Sequence, residues 1–310
     1  MNNLIPIFFA TDNNYIPFLS VAIKSIILNA NLNFNYEINI LSEKISKKNI
    51  RKIKKLENKN FKINFVNLSP YIKKIRIRLK NTLRDYYTEA IFYRIFIASL
   101  YPSYNKAIYL DCDLVVNSDI SKLFEQNIDE YILGVVSDDV IAANPDFRIY
   151  AKEGVGIEYQ KYFNSGVLLI NLDKFRSERI KEKFIYYLVK YNFQTAAPDQ
   201  DYLNVICKNN VKFLDKGWNT MSVKENKRKN LYIIHYNNFK KPWYYENVPY
   251  EKYFWKYAEQ TNFYKKILNI KNSFNDQMAQ KHLDGADNLL ALTKCIINSE
   301  NNFKKILEVR

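Results

Sequence analysis

Apolar residues recur along this chain in two rhythms, short unbroken runs and stretches spaced by three and four. Residues 4 to 10, LIPIFFA, form a continuous apolar run of the length expected for a strand buried on both faces. A polar turn from Thr11 to Tyr15 follows, and from Pro17 to Leu28 the residues Leu19, Ala22, Ile23, Ile26 and Ile27 recur at helical spacing. This is a βα unit whose polar loop sits at the carboxyl end of the strand, where ligands of open parallel sheets bind. YEINIL, 36 to 41, and the alternating FKINFVNL, 61 to 68, read as further strands, separated by a basic helix from its cap Ser46 to Leu56. A helix from Thr88 to Leu100 stops before Pro102 and carries Arg94 among apolar and aromatic residues. Strands are predicted at Ala107 to Leu110, Tyr131 to Val136, 163 to 172, 211 to 219 and up to His235, with helices at Phe175 to Tyr191 and from Ala197 onward. Residues 137 to 161 show no clear period and read as a long loop over the site. Beyond Tyr250 only helices are predicted, 251 to 270 and 276 to 308. The pattern predicts an α/β domain over 1–250 and a helical region over 251–310 suited to membrane attachment, packing or dimerisation.

Composition narrows the class. The 310 residues are 47% apolar and 15% aromatic, ample for a packed core, which excludes disorder as the main state. No apolar run approaches the ~18 residues that cross a bilayer, and Leu4 to Ala10 is too short for a signal peptide and lacks a basic leader, so a cytoplasmic protein is expected. Cys112, Cys207 and Cys295 show no paired spacing and suit a reducing compartment. The net charge is +15, and 13 of those charges fall between Ser42 and Arg84, where 15 Lys and Arg face only Glu43 and Glu57. A concentrated basic face attracts nucleic acid or an anionic membrane surface. The plain alternative is a chain rich in Lys and Asn throughout, as an AT-rich genome encodes.

Candidate chemistry centres on NKAIYLDCDLVVNSDI, 105 to 120. Residues two apart in a strand share a face, so Asp111 and Asp113 are expected together at the strand's carboxyl end. Two bare carboxylates repel, and a divalent cation with a taste for hard oxygen, Mg²⁺ or Mn²⁺, relieves that repulsion and can bridge a diphosphate. A polar exit from the strand is the bland alternative. Asp12 offers an acceptor for a base or ribose and Tyr15 a stacking surface, unless Asp12 or Asn13 simply caps the helix. Arg94 wants an anion. Asp138 and Asp139 end a strand, Gly166 suggests close backbone approach beside Asn164, and Asp199 is an N-cap candidate. His235, one of only two histidines, closes an apolar strand, with Lys240 and Lys241 just beyond to meet phosphates.

Seven motifs in order, IPIFFATDNNYIPFLSVAIKSI, YRIFIASLYP, AIYLDCDLVV, FNSGVLLINLDKF, PDQDYLNVI, KFLDKGWN and HYNNFKKPW, span residues 5 to 243 and resemble glycosyltransferase family 8. That family contains bacterial lipopolysaccharide and lipooligosaccharide galactosyl- and glucosyltransferases. The resemblance implies a glycosyltransferase-A fold, a Rossmann-like mixed sheet flanked by helices, acting on a UDP-sugar with Mn²⁺ (Mg²⁺ as the alternative) and retention at the anomeric carbon. By motif position it makes Asp111, Asp113 and His235 the metal ligands. It places Ala10, Thr11, Asp12, Asn14 and Tyr15 at the uridine, Arg94 and Cys112 at the donor, and Lys241 on the diphosphate. Asn164, Asp199 and Gln200 match donor-sugar contacts and Asp138 lies near the corresponding acidic position, with Gln200 and Asp199 as the catalytic pair. Asn238 stands where relatives often carry a glycine lining the diphosphate. An amide is a poor nucleophile, so front-face attack with electrostatic support from Gln200 is expected rather than double displacement.

The expected partners are a UDP-sugar donor and a saccharide acceptor, lipid-linked and phosphorylated, at the inner membrane face, with a homo-oligomer also open. The basic block, above all Lys73 to Arg84, is expected to dock the enzyme there as a peripheral protein. Two other classes compete. A nucleic-acid-binding protein explains the basic block but leaves Asp111, Asp113, Asp138, Asp199 and His235 without a purpose, and no recognisable module supports it. A non-catalytic sugar-nucleotide binder is opposed by the complete metal set. Polymerase-type nucleotidyltransferases need a Gly-Ser pair ahead of their aspartates, and this chain contains none.

Overall fold

Residues 3–73, 89–225, 230–237 and 239–307 are described by the computed structural model. Asn238 and most of the basic block's second half, from residue 74 on, lie outside them. Ten strands are described: β1 (Leu4–Ala10), β2 (Asn35–Ser42), β3 (Phe61–Asn67), β4 (Lys106–Leu110), β5 (Leu114–Val116), β6 (Leu133–Ser137), β7 (Phe163–Asn171), β8 (Val211–Phe213), β9 (Thr220–Met221) and β10 (Ile233–His235). Seven make one mixed sheet in the order β3-β2-β1-β4-β7-β6-β8. β1 to β4 run parallel, β7 is antiparallel to both β4 and β6, and β8 rejoins parallel to β6. A second sheet, β5-β10-β9, sets β10 antiparallel to β5.

The unbroken apolar run of β1 has a direct cause. Ile5, Ile7 and Phe9 face one apolar cluster, with the helix Ile16–Asn29, while Phe8 faces another, with Phe92, Tyr202 and Leu292. Both faces of the central sheet are therefore covered, as a parallel sheet requires. The basic helix Lys47–Lys54 begins where expected, with Ser46 accepting from the Asn49 amide.

Several elements differ from the expectation. The reach from 88 to 100 is a 3₁₀-helix over Glu89–Phe96 and one α-turn over Ile97–Leu100. A run of β-branched and aromatic residues favours the α-helix weakly, and the Ile91 carbonyl accepts from Arg94 Nε. The supposed long loop 137–161 holds the helices Asp139–Ala143 and Pro145–Tyr150 and a π-turn over Ala151–Val155. Asp138 and Asn144 cap the two helices, which are too short to display a period. The helix predicted over 175–191 breaks at Arg179, whose φ of 54° is left-handed, into Leu172–Ser177 and Ile180–Lys190. The strand predicted over 211–219 stops at Phe213, and Asp215 caps a 3₁₀ turn that carries Asn219. Beyond residue 250 the helices are Glu251–Ala258, Tyr264–Ser273, Asp276–Asn298 and Phe303–Leu307. Asn302 ends the third by donating to the Ile296 carbonyl. Phe254, Tyr257, Phe263 and Ile267 join the first cluster, and Leu292, Ile296 and Phe303 the second. Among the described residues no helix is long and apolar enough to cross a membrane.

Candidate active site

A cleft of about 590 Å³ opens at the carboxyl ends of β1 and β4. It is lined by Ala10, Thr11, Asp12, Tyr15, Arg94, Asp111, Cys112 and Asp113, and further by Asp138, Asn164, Asp199, Gln200, His235 and Lys241. Asn14 is exposed and absent from this lining. Its backbone amide and that of Tyr15 donate to Asp12 Oδ1, so Asp12 orders the turn after β1. Asn13 accepts instead from the Ser46 amide, tying this turn to the basic helix. Cys112 Sγ donates to the Ala10 carbonyl across the mouth of the β1–β4 pair.

Asp111 and Asp113 do come together, but strand alternation is not the reason. β4 ends at Leu110 and the chain bends before β5, so the two carboxylates sit where the sheets diverge. Strand β10, paired with β5, then brings His235 beside them. Ligand atoms of Asp111, Asp113 and His235 all lie within 4.8 Å of one another. At that distance two carboxylates repel by about 3.5 kcal/mol at an effective dielectric of about 20. Arg94 Nη2 offsets Asp111 from 3.0 Å, and Lys241 Nζ pairs with Asp113 Oδ2 and donates to the Tyr236 carbonyl. Burial would raise the Asp113 carboxyl, but the ammonium of Lys241 outweighs it and the carboxyl is held well below the usual range.

The donor set fits a hard divalent cation. Asn219 Nδ2 donates to Asn164 Oδ1 at 2.9 Å, which leaves Asn219 Oδ1 to accept from His235 Nδ1 at 3.0 Å. That tautomer puts the Nε2 lone pair 3.1 Å from Asp113 Oδ1 and 3.8 Å from Asp111 Oδ2. Two acceptors facing each other so closely call for a positive charge between them, and an imidazole with two carboxylates suits Mn²⁺. Gly166 makes the space, since a Cβ there would overlap His235 Cε1 and sit 2.7 Å from Asp111 Oδ2.

Beside this cluster lies a buried polar network. Arg94, 4% exposed, reaches Asp111, Asp199 Oδ2 at 3.2 Å and the Ser165 carbonyl, with its guanidinium 4.2 Å over the Tyr109 ring. Burial would weaken its hold on the proton, but Asp111 and Asp199 raise it further. Asp199 is not the helix cap the sequence suggested. Ala197 holds that position without a side-chain bond, Pro198 follows, and Asp199 turns inward to Arg94 and Ser165 Oγ. Burial nonetheless pushes the Asp199 carboxyl up, against Arg94. Gln200 Oε1 accepts from the Ser165 amide and Asn164 Nδ2, and its Nε2 donates to Asp138 Oδ2 at 3.1 Å. Asp138 spends its other oxygen on the Val140 and Ile141 amides.

Asp201 anchors the helix that carries Gln200, accepting from Tyr162, Tyr150 and the Ala197 amide. Burial raises its carboxyl from 3.8 to about 6, against those hydrogen bonds. Between these values the unfolded chain gives up the proton first, so stability falls as pH rises from about 4 to about 6 and the loss is then complete. Unfolding free energies of wild type and Asp201→Asn, measured from about pH 4 to about pH 7, are expected to shift by about 3 kcal/mol in the variant's favour. A difference independent of pH refutes this.

Sequence reasoning missed Asn219, Ser165 and the contribution of the third C-terminal helix, from which His282, Ala286, Leu289 and Leu290 line the cleft. Their spacing of four, three and one, one face of a helix, was the available signal. Asn219 carries none beyond its place in KFLDKGWN.

Residues 6–247 match Glycosyl transferase family 8. A putative glycosyltransferase of Haemophilus influenzae is 34% identical over 231 residues, covering 74% of this chain and 67% of that protein. The lipopolysaccharide 1,2-glucosyltransferase of Escherichia coli K12 is 26% identical over 307 residues, 88% of this chain and 85% of its own. Among solved structures, the galactosyltransferase LgtC in complex with donor and acceptor sugar analogues superposes with a TM-score of 0.68 at 22% identity, covering 83% of this chain and 96% of LgtC.

Proposed function

This chain belongs to glycosyltransferase family 8, and on that premise we propose that it moves a hexose, glucose or galactose, from a UDP-sugar to a saccharide acceptor with retention at the anomeric carbon. The observation that carries the proposal is the convergence of Asp111, Asp113, His235 and Lys241 with Asp138, Asn164, Asp199 and Gln200 in one cleft. Relatives that include a lipopolysaccharide glucosyltransferase support a surface glycan as the product.

Asp111, Asp113 and His235 would hold Mn²⁺ or Mg²⁺, which when bound neutralises charge developing on the departing UDP. Lys241, fixed by the Tyr236 carbonyl, presents an ammonium to the same diphosphate. Asp12 and Tyr15 meet the nucleoside, while Asp138, Asn164 and Asp199 position the donor sugar. Gln200 has its amide locked on both sides by Ser165 and Asp138, so its dipole is already oriented when the sugar becomes oxocarbenium-like. It stabilises that charge without forming a bond, and the acceptor enters from the face UDP leaves. The exposed lysines and arginine of the helix Lys47–Lys54 add attraction to an anionic membrane, at about 1 kcal/mol for each basic residue near the surface, which supports a cytoplasmic enzyme acting peripherally on a lipid-linked acceptor.

Hydrolysis of UDP-glucose, UDP-galactose and their N-acetyl forms, with Mn²⁺ and with a chelator, tests the proposal. Turnover of one hexose donor that stops on chelation is expected; binding of all four without turnover would leave only a sugar-nucleotide binder. Gln200→Ala is expected to lower kcat about a hundredfold while changing the donor KM by less than about threefold, because its contribution grows in the transition state. A change confined to KM would make Gln200 a ground-state binding residue.

A further inference from the structure

His282 lines the cleft, yet the helix that carries it, Asp276–Asn298, lies beyond the residues matched to the family. The helix bridges two parts of the site. At one end His282 packs among Tyr244, Phe274, Tyr245 and Phe239, with ring centroids 5.3, 5.3, 5.9 and 6.1 Å away. At the other, Leu292 and Ile296 are buried in the second apolar cluster, and Lys294 reaches Asp146 on the helix that follows Asp138 and Asn144. This attachment at both ends holds the imidazole in place.

The position of that ring is chemically pointed. Its aromatic neighbours Phe239 and Tyr244 flank Lys241 in the chain, and all three line the same cleft. Burial and then the charge of Lys241 hold the His282 imidazole below its ordinary range. A lysine ammonium and a neutral imidazole able to donate an N–H, both lining one cleft, form a suitable setting for an anion. Tyr245 Oη lies 3.1 Å from Nδ1. With the hydroxyl donating, the imidazole hydrogen resides on Nε2, for which no hydrogen bond is found among the described residues.

We propose that His282 Nε2–H is a second donor, beside Lys241, to the diphosphate of the sugar nucleotide. The inference rests on the UDP-sugar reading above. It assigns to the C-terminal helices a direct part in substrate binding, through a residue outside the family's shared region.

Full-length protein saturated with Mn²⁺ is titrated with UDP by calorimetry and with uridine by ligand-observed NMR. His282→Phe keeps a flat ring in the aromatic cage and removes the N–H. It is expected to weaken UDP about tenfold, the scale of one hydrogen bond to a charged group, with uridine affinity unchanged within about twofold. His282→Gln returns a donor and is expected to recover most of the loss. Should the phenylalanine variant fail to fold, His282→Met removes the donor in a similar volume. Unchanged UDP affinity overturns the proposal, and so does an equal loss for uridine, which would make His282 a packing residue. A wild type that binds no UDP overturns the proposed function itself.

Discussion

Replacing Asp113 by Asn is expected to lower kcat/KM for metal-dependent sugar-nucleotide turnover by about 10³-fold or more, the scale seen when charge stabilisation at a developing anion is withdrawn. The substitution keeps the shape of the side chain and removes its charge. Asp113 contributes one oxygen beside His235 Nε2 and the other to Lys241, so loss of its charge weakens the cation set and the hold on the lysine together. Asn still offers a carbonyl to Lys241, and the backbone bond from Tyr236 N to the Asp113 carbonyl is untouched, so the fold should survive. Circular dichroism and a melting curve check that point. Wild-type turnover in a folded Asp113→Asn, with Mn²⁺ saturating, would remove the cluster from the chemistry. His235→Ala is expected to behave alike, for in the proposed function its imidazole would complete the cation set with the two aspartates.

Gly166→Ala is expected to be nearly as damaging, though it deletes nothing. The added methyl must occupy space between His235 Cε1 and Asp111 Oδ2, and Asn164 Oδ1 closes the third side at 3.0 Å. Strand β7 cannot retreat freely, because the Gly166 carbonyl accepts from the Asp111 amide at 2.8 Å and its own amide donates to Asn164. The imidazole must yield, and misplacement of a ligand by about 1 Å costs about a hundredfold in rate. Overpacking adds about 1–3 kcal/mol of lost stability. Mn²⁺ titration followed by electron paramagnetic resonance, alongside turnover, separates the two effects. Wild-type Mn²⁺ affinity and rate in Gly166→Ala would show that the ring has room to move.

How far such features are legible in sequence depends on what enforces them. β1 can be read directly because both its faces are buried, which leaves no polar residue between Ile5 and Phe9. The acidic pair can be read because carboxylates rarely follow a buried strand without a purpose, although the reason they meet, a bend between two sheets, was not visible. Asp138 and Asn144 nucleate helices of five and six residues, below the length at which a 3.6-residue period emerges, so that region looked like loop. Asn219 is fully buried and orients His235, but a neutral amide in a turn announces nothing until its partners are known. Asp199 shows the converse. Its position near a helix start suggested a cap, and tertiary pairing with Arg94 overrode the local preference.

The short sheet β5-β10-β9 also dictates when the site can exist during synthesis. His235 and Asp113 are 122 residues apart in the chain, and the antiparallel pairing of β10 with β5 brings them together. Closing a loop of that length costs about 4 kcal/mol of chain entropy, plus a constant. A nascent chain can assemble β1 to β4 as it leaves the ribosome, yet its two aspartates wait for their histidine until β10 has emerged. Until then the bare edge of β5 is open to misfolding and to rival pairings, so maturation of the cation set should trail formation of the main sheet, with high contact order setting the slow phase.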